Sequence, residues 1–484
     1  MRQENASTST YIKVVIVLLF MFGFRFLPPL GDITPYGMAV LGILIGAILG
    51  WSFDGKCMLH TSLLALVALA TTDYPGGINA ICTNLMASSS LIVMCMGMVM
   101  VGGLVDAGVD NYLIAKVMNI SFAKGRPWVI TFILVFAPYI LSIFIMNSAL
   151  ILFLLPVYAK VFKEAGYKVG DKYVLHVFIG AMVTACASMY IFPFLGMPLA
   201  FGGMVQAYTG VMWTYAEYMM TVTVFTFVLA AGYTVFMRLI RCDASRITSL
   251  DLNVFGDPKA PVSRYQKSVL ICMLLFIVGS VIISFGGMLD TPVTNFMNQI
   301  GVFGWMFVIL AIMMIVRVDG KRLLNLSVAT AKGFSWDLIL LVASATLVGG
   351  ALTSEASGVG VLLTKLAAPL LTGLNAYGVA AVLFILVLLA TNFCNNMAVM
   401  MIGFALIGSL IAGGLAVNGC MLAAGTIIFS QLGYLLPSSS MWGAILHKAE
   451  LVTPMAVYKN VLLALLYIVI VTLVVFIPLC LVVF

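Results

Sequence analysis

Charge is what this sequence has least of: 8% of its 484 residues are Asp, Glu, Lys or Arg, while 63% are hydrophobic. A water-soluble domain needs about a quarter of its residues charged to cover its surface. That deficit excludes a soluble globular domain, and a mean hydropathy of +1.17 places the chain in a bilayer. Histidine is scarce too, and positions 60, 176 and 447 are too far apart to form a ligand spacing. The nine cysteines are scattered, almost all in apolar runs, with no Cys-x-x-Cys pair, so neither a disulfide framework nor a metal site is expected. Gly-x-Gly-x-x-Gly, P-loop and His-Glu-x-x-His patterns are missing. So is any aromatic-basic stripe for nucleic acid. No Asp, Glu, Lys or Arg stands clearly at mid-depth of an apolar run, which argues against a carboxylate-based proton pump. An intramembrane enzyme would need a nucleophile, base or metal set there, and the sequence offers none. The expectation is a non-enzyme with no cofactor and no nucleic-acid partner.

What is there is a series of apolar stretches of roughly 15–25 residues, long enough to cross a hydrocarbon core of about 30 Å. They lack the short alternating strands of an outer-membrane barrel. The fold class expected is an all-α polytopic membrane protein with about 11 transmembrane helices. The first stretch, Tyr11 to Phe26, runs into "FRFLPPLGD" without a small-residue cleavage site and reads as a helix, not a signal peptide. Two stretches, 128–163 and 376–414, are too long for one crossing. Each is interrupted halfway, by "SIFIMNSA" in the first and "TNFCNNMA" in the second. A re-entrant hairpin, two half-depth helices meeting at a tip, fits both features.

Lys and Arg give the sidedness. With a cytoplasmic N-terminus and each hairpin returning to its own side, all but Arg25 and Lys365 of the 24 Lys and Arg lie inside. The lone long polar interlude, 239–266, halves the chain and is expected to be a cytoplasmic linker. Its position prompts a search for a repeat. "SIFIMNSA" (142–149) falls on "TNFCNNMA" (391–398), and "DAGVDNYLIAKV" (106–117) falls on "EASGVGVLLTKL" (355–366), at one shared offset. The chain therefore divides into an N-terminal helix (1–30), a first repeat (31–238), the linker (239–266) and a second repeat (267–484). The charge bias of the hairpin flanks implies that the copies enter from opposite faces, the inverted plan of many secondary transporters.

Unwound backbone at membrane depth is tolerated only where it is packed in protein or lines a wet cavity. Carbonyl, amide and hydroxyl oxygens there suit a small hard cation such as sodium. The free N–H groups of the following half-helix suit an anion. The bland alternative is that the amides glue neighbouring helices together. After each hairpin comes a second break, "YIFPFLGMPLAFGG" (190–203) and "GYLLPSSSMWGAI" (433–445). A plain proline kink is the alternative for these.

The layout and these motifs resemble the divalent anion:sodium symporters, the dicarboxylate, citrate and sulfate carriers of the ion-transporter superfamily. Tips in that family carry Ser-Asn-Thr followed by Ala. The counterparts here are "MNSALILFLLP" from Met146 and "NNMAVMMIGFA" from Asn395, and the breaks look like "GMPLA" (196–200) and "LPSSSMWG" (436–443). The resemblance implies substrate contacts at Asn147, Ser148, Asn396, Met397, Pro198 and Ser440. It implies sodium ligands at Ser142, Asn147, Thr391, Cys394 (through its carbonyl), Asn396 and Ser439. It also implies a homodimer working as an elevator, with 107–123 as a surface helix. The departures are specific: Ser148 keeps the motif's hydroxyl, Met397 removes it, and Ala200 and Gly443 replace the Asn that closes each break. Fewer donors should hold a doubly charged carboxylate less well. The function expected is sodium-coupled symport of a small organic anion, such as a C4-dicarboxylate, by a multi-pass inner- or plasma-membrane protein. The alternative is a proton-coupled or sodium-independent carrier of a monocarboxylate or inorganic oxyanion; a channel or intramembrane enzyme fits less well.

Overall fold

The structure is a computed structural model that describes residues 8–53, 58–118, 125–144, 147–194, 196–247, 261–286, 291–359, 361–362, 365, 373–414, 417–437 and 439–484. Its first helices are α1 (Thr8–Leu18), α2 (Pro35–Phe53), α3 (Met58–Ala70), α4 (Gly77–Ala87), α5 (Ser89–Ala107) and α6 (Val109–Met118). There follow α7 (Pro127–Leu141), α8 (Asn147–Glu164), α9 (Lys172–Ser188), α10 (Gly196–Thr209) and α11 (Tyr215–Leu239). After the linker come α12 (Arg264–Phe285), α13 (Pro292–Ile315), α14 (Leu326–Gly333) and α15 (Trp336–Thr353). The chain closes with α16 (Ala376–Ala390), α17 (Asn396–Ala412), α18 (Gly419–Ser430), α19 (Met441–Lys448), α20 (Pro454–Val471) and α21 (Ile477–Val483). The only strands among the described residues are the pair Arg317–Val318 and Lys321–Arg322. Asp319 and Gly320 join them with φ of 52° and 77°, the left-handed turn that an Asp-Gly pair favours.

This is an all-α polytopic membrane protein. Among the described residues five helical spans are long and apolar enough to cross a bilayer, or six if the bent pair Gly77–Ala87 and Leu91–Ala107 is one span: Tyr215–Leu239, Arg264–Phe285, Pro292–Ile315, Trp336–Thr353 and Pro454–Val483. Seven more apolar helices are shorter. The shorter helices have a local cause. The stretches 128–163, 173–208, 376–414 and 418–446 are each broken into shorter helices at polar or Pro- and Gly-bearing turns. Helix starts follow ordinary capping chemistry: Thr214 with Glu217 and Ser263 with Gln266 form capping boxes, and Pro127, Pro292 and Pro454 sit in first turns.

The described helices group into two compact units, each drawing on both halves of the sequence. The first comprises 1–94, 199–212 and 335–430; α15 packs on α2 and α3, and α18 packs on α16 and α17. The second comprises 95–198, 213–334 and 431–484; α9 packs on α7, α8, α11 and α20. Each unit is built around a helix apolar on every side, the pattern of an element with no face left for solvent. In the first unit this is α18, with Met421 to Ser430 all buried. In the second it is α9, with Tyr173 to Ser188 all buried.

Both basic residues left outside by the charge count have partners. Arg25 donates to the Thr71 carbonyl at 2.9 Å and to Thr71 Oγ1 at 2.9 Å, just beyond the end of α3. Lys365 pairs with Asp32 at 2.6 Å. At the start of the linker, Lys172 donates to the Ile240 carbonyl and Arg246 to the Gly166 carbonyl. Asp243 accepts from the Ser245 hydroxyl and amide, which holds its carboxyl below the usual value. Residues 248–260 of the linker lie outside the described residues.

Candidate functional site

The repeat read from the sequence recurs as a repeat of helix boundaries. The helices before the tips, α7 and α16, start at 127 and 376 and end at 141 and 390; those after the tips start at 147 and 396. The differences (376 minus 127, 390 minus 141, 396 minus 147) are all 249. Ser142 and Thr391 then occupy the same C-cap position, and Asn147 and Asn396 the same first helical position.

In the first unit, the tip after α16 turns through 391–395. The three amides of this tip have three different partners. Asn392 is fully buried and donates back to the Leu388 carbonyl at 2.7 Å. Asn395 is the N-cap of α17; its Oδ1 accepts from the Met397 and Ala398 amides at 2.9 and 3.4 Å. That satisfies two of the four N–H groups a helix start leaves without partners. Asn396 is buried, and its Oδ1 lies 2.7 Å from Thr391 Oγ1. The same Thr391 hydroxyl meets the carbonyl of Ser430, the last residue of α18. Met397 is half-buried in the first turn of α17, and Cys394 is exposed.

In the second unit, Asn147 is buried and donates to the Ala185 carbonyl at 2.8 Å, in the last turn of α9. Ser142 is buried as well, and its hydroxyl has no hydrogen-bond partner among the described residues. Ser148 begins α8, but its side chain lies outside the described residues, as does Met146. Both tips thus reach a carbonyl in the final turn of a fully buried helix. Carbonyls there lack the usual backbone donor; that of Ala185 accepts from the Ser188 hydroxyl as well, at 3.1 Å. Sequence reasoning missed Ala185 and Ser430 because a backbone oxygen leaves no residue-type signal; the available clue was that a helix ending at membrane depth exposes one.

Residues 190–198 of the first of the second breaks, and all of the other (433–445), belong to the second unit. α9 stops at Ser188 and α10 resumes at Gly196, with Pro198 buried in its first turn. α18 stops at Ser430, seven residues ahead of Pro437, so the break is wider than the proline alone requires. Gly433 supplies the reason, since its carbonyl is captured by the Ser440 hydroxyl. Ser440 is the N-cap of α19 and accepts from the Gly443 amide at 3.0 Å. Ser439 is buried and donates to the Leu436 carbonyl at 2.8 Å, while His447 Nε2 meets the Leu435 carbonyl at 2.9 Å. Two serines and a histidine therefore hold three unwound carbonyls. Ser438 lies outside the described residues.

Tyrosines are the further feature that sequence patterns did not single out. Tyr190, in the first break, and Tyr218, on α11, are fully buried with hydroxyls that find no partner among the described residues. Tyr434, in the second break, meets the Cys186 thiol on α9. Among the described residues no group of three His, Cys, Asp or Glu could hold a metal ion. Any ion at the tips must be met by neutral oxygens.

The class the fold defines is a multi-pass helical membrane protein with two related broken-helix tips. No family model and no curated protein matches the chain. Two solved structures share its fold. One is the YdaH transporter of Alcanivorax borkumensis, 15% identical with a TM-score of 0.55, covering 92% of this chain and 98% of that one. The other is MtrF of Neisseria gonorrhoeae, of a class of antimetabolite efflux pumps, 15% identical with a TM-score of 0.55, covering 96% and 97%. At that identity the likeness is one of fold. Neither is described as a divalent anion:sodium symporter.

Proposed function

We propose that the chain is a secondary active transporter coupling a sodium gradient to the movement of a small organic anion across the inner or plasma membrane. The observation that carries this reading is the meeting of Thr391 Oγ1, Asn396 Oδ1 and the Ser430 carbonyl in a buried place. A hydroxyl has one proton to give, and that of Thr391 faces two acceptor oxygens. A hard monovalent cation completes such a set with no need for a carboxylate. In the related tip, Ser142 Oγ is a buried oxygen available to the same kind of ion, beside Asn147. The shared fold with a transporter and an efflux pump supports transport. The N-terminus is read as cytoplasmic and the assembly as a homodimeric elevator, both on the charge bias and the family resemblance.

The resemblance points to a C4-dicarboxylate. A second reading, a monocarboxylate, is favoured by Met397, which offers no hydroxyl where the family has one, and by the lack of Lys or Arg at either tip. Uptake of labelled succinate, citrate, sulfate and lactate into proteoliposomes, with and without an inward sodium gradient, tests the proposal. Concentrative uptake of at least one anion only with the gradient is expected. Uptake indifferent to sodium would remove the coupling claim.

A further inference from the structure

Around the first break of the second unit, uncharged hydrogen-bond donors are buried with nothing among the described residues to receive them. Tyr190 and Tyr218 are 0% exposed and Trp213 is 4% exposed, and their two hydroxyls and indole N–H have no partner. They belong together. Tyr190 is within electrostatic reach of Tyr218 and of Cys186, and the Trp213 and Tyr218 rings lie 4.9 Å apart. Ile191, next in sequence to Tyr190, shares a buried apolar cluster with Tyr139 and Ala230, against which Ile143 of the first tip also packs. Buried donors are nearly always paired. Three left open beside an unwound, Pro-bearing turn are therefore a site feature and not ordinary core. The walls are aromatic, with Phe192 stacked on Phe194 at 5.3 Å and Tyr215 edge-on to Phe194 at 6.2 Å. No Lys or Arg occurs in 189–198 or 431–443 to neutralise a second negative charge. Glu217, beside Tyr218, is turned into the Thr214 cap.

We infer that the hydroxyls of Tyr190 and Tyr218 and the indole N–H of Trp213 form a binding lining for the acceptor oxygens of a planar organic acid carrying one carboxylate. The inference rests on the transport reading and names its substrate class. Phenol and indole donors match a carboxylate without stripping a fixed counter-charge of water, and aromatic rings stack well on a flat body. The ligand would complete bonds that the chain leaves unmade.

Benzoate and succinate serve as probes on the purified full-length protein, with binding followed by ligand-induced thermal stabilisation. Tyr190→Phe and Tyr218→Phe keep the ring and delete only the hydroxyl. Removing an unpaired buried hydroxyl should leave the ligand-free protein as stable or more so. Each variant should nonetheless bind benzoate about tenfold or more weakly, since a bond to a charged group is lost. Wild type should prefer benzoate to succinate. Failure to bind benzoate, preference for succinate, or unchanged benzoate affinity in both variants would overturn the inference. If variants with unchanged affinity still show sodium-driven uptake of another anion, only the substrate class falls; if no anion moves with the gradient, the transport reading falls.

Discussion

Thr391 Oγ1 stands 2.7 Å from Asn396 Oδ1, five residues on, with the Ser430 carbonyl against the same hydroxyl. One side-chain proton cannot serve both oxygens, so the arrangement is oxygen-rich by construction. Thr391→Ser keeps the hydroxyl and should keep sodium-dependent uptake. Thr391→Val keeps the shape but removes the hydroxyl's bond to the Ser430 carbonyl, at a cost of about 1 kcal/mol. It should also abolish the sodium dependence. Thermal unfolding and proteoliposome uptake of the two variants read the two effects separately.

The neighbouring amides Asn395 and Asn396 should separate by role. Asn395 caps α17 through its Oδ1. Asn395→Ala should cost about 1 kcal/mol of stability while leaving the sodium response in place. Asn395→Ser or Asn395→Asp should recover most of that loss. Asn396→Ala should do the reverse, unfolding near the wild-type temperature with no sodium-driven transport.

Two glycines in the first unit seat Tyr208. A Cβ on Gly349 would come within 1.7 Å of the Tyr208 ring, and one on Gly408 within 2.0 Å of its carbonyl oxygen. Tyr208 is fully buried and cannot move aside cheaply. Gly349→Ala and Gly408→Ala should each destabilise by about 1–3 kcal/mol or more through overpacking. Gly350→Ala, one residue on, meets nothing within 4 Å and serves as the control. Monodispersity and unfolding temperature in detergent check all three.

The membrane class and the paired tips could be read from sequence because each rests on a strong local signal. Apolar length demands burial in lipid, and an Asn or Thr within such a run demands a partner. The repeat was visible for the same reason, since Ser142 with Thr391 and Asn147 with Asn396 are polar letters in apolar text. Where the broken helices stop was not legible. Hydropathy counts apolar residues, whereas α9 and α18 stop at Ser188 and Ser430 for reasons of backbone geometry that composition does not record. The roles within the amide cluster were hidden too, because Asn392, Asn395 and Asn396 are alike in letter and differ only in what each faces. The carbonyls of Ala185 and Ser430, and the clustering of Tyr190 with Tyr218 and Trp213, depend on tertiary packing alone.

The claim at the centre of this account is that the Thr391, Asn396 and Ser430 oxygens hold sodium. Equilibrium binding of radioactive sodium to the purified protein, wild type beside Asn396→Ala, measures it without reference to any substrate. The account predicts saturable binding to wild type that is weakened at least tenfold in the variant, with both proteins equally folded. Equal binding by the two, or no saturable binding by wild type, would contradict it.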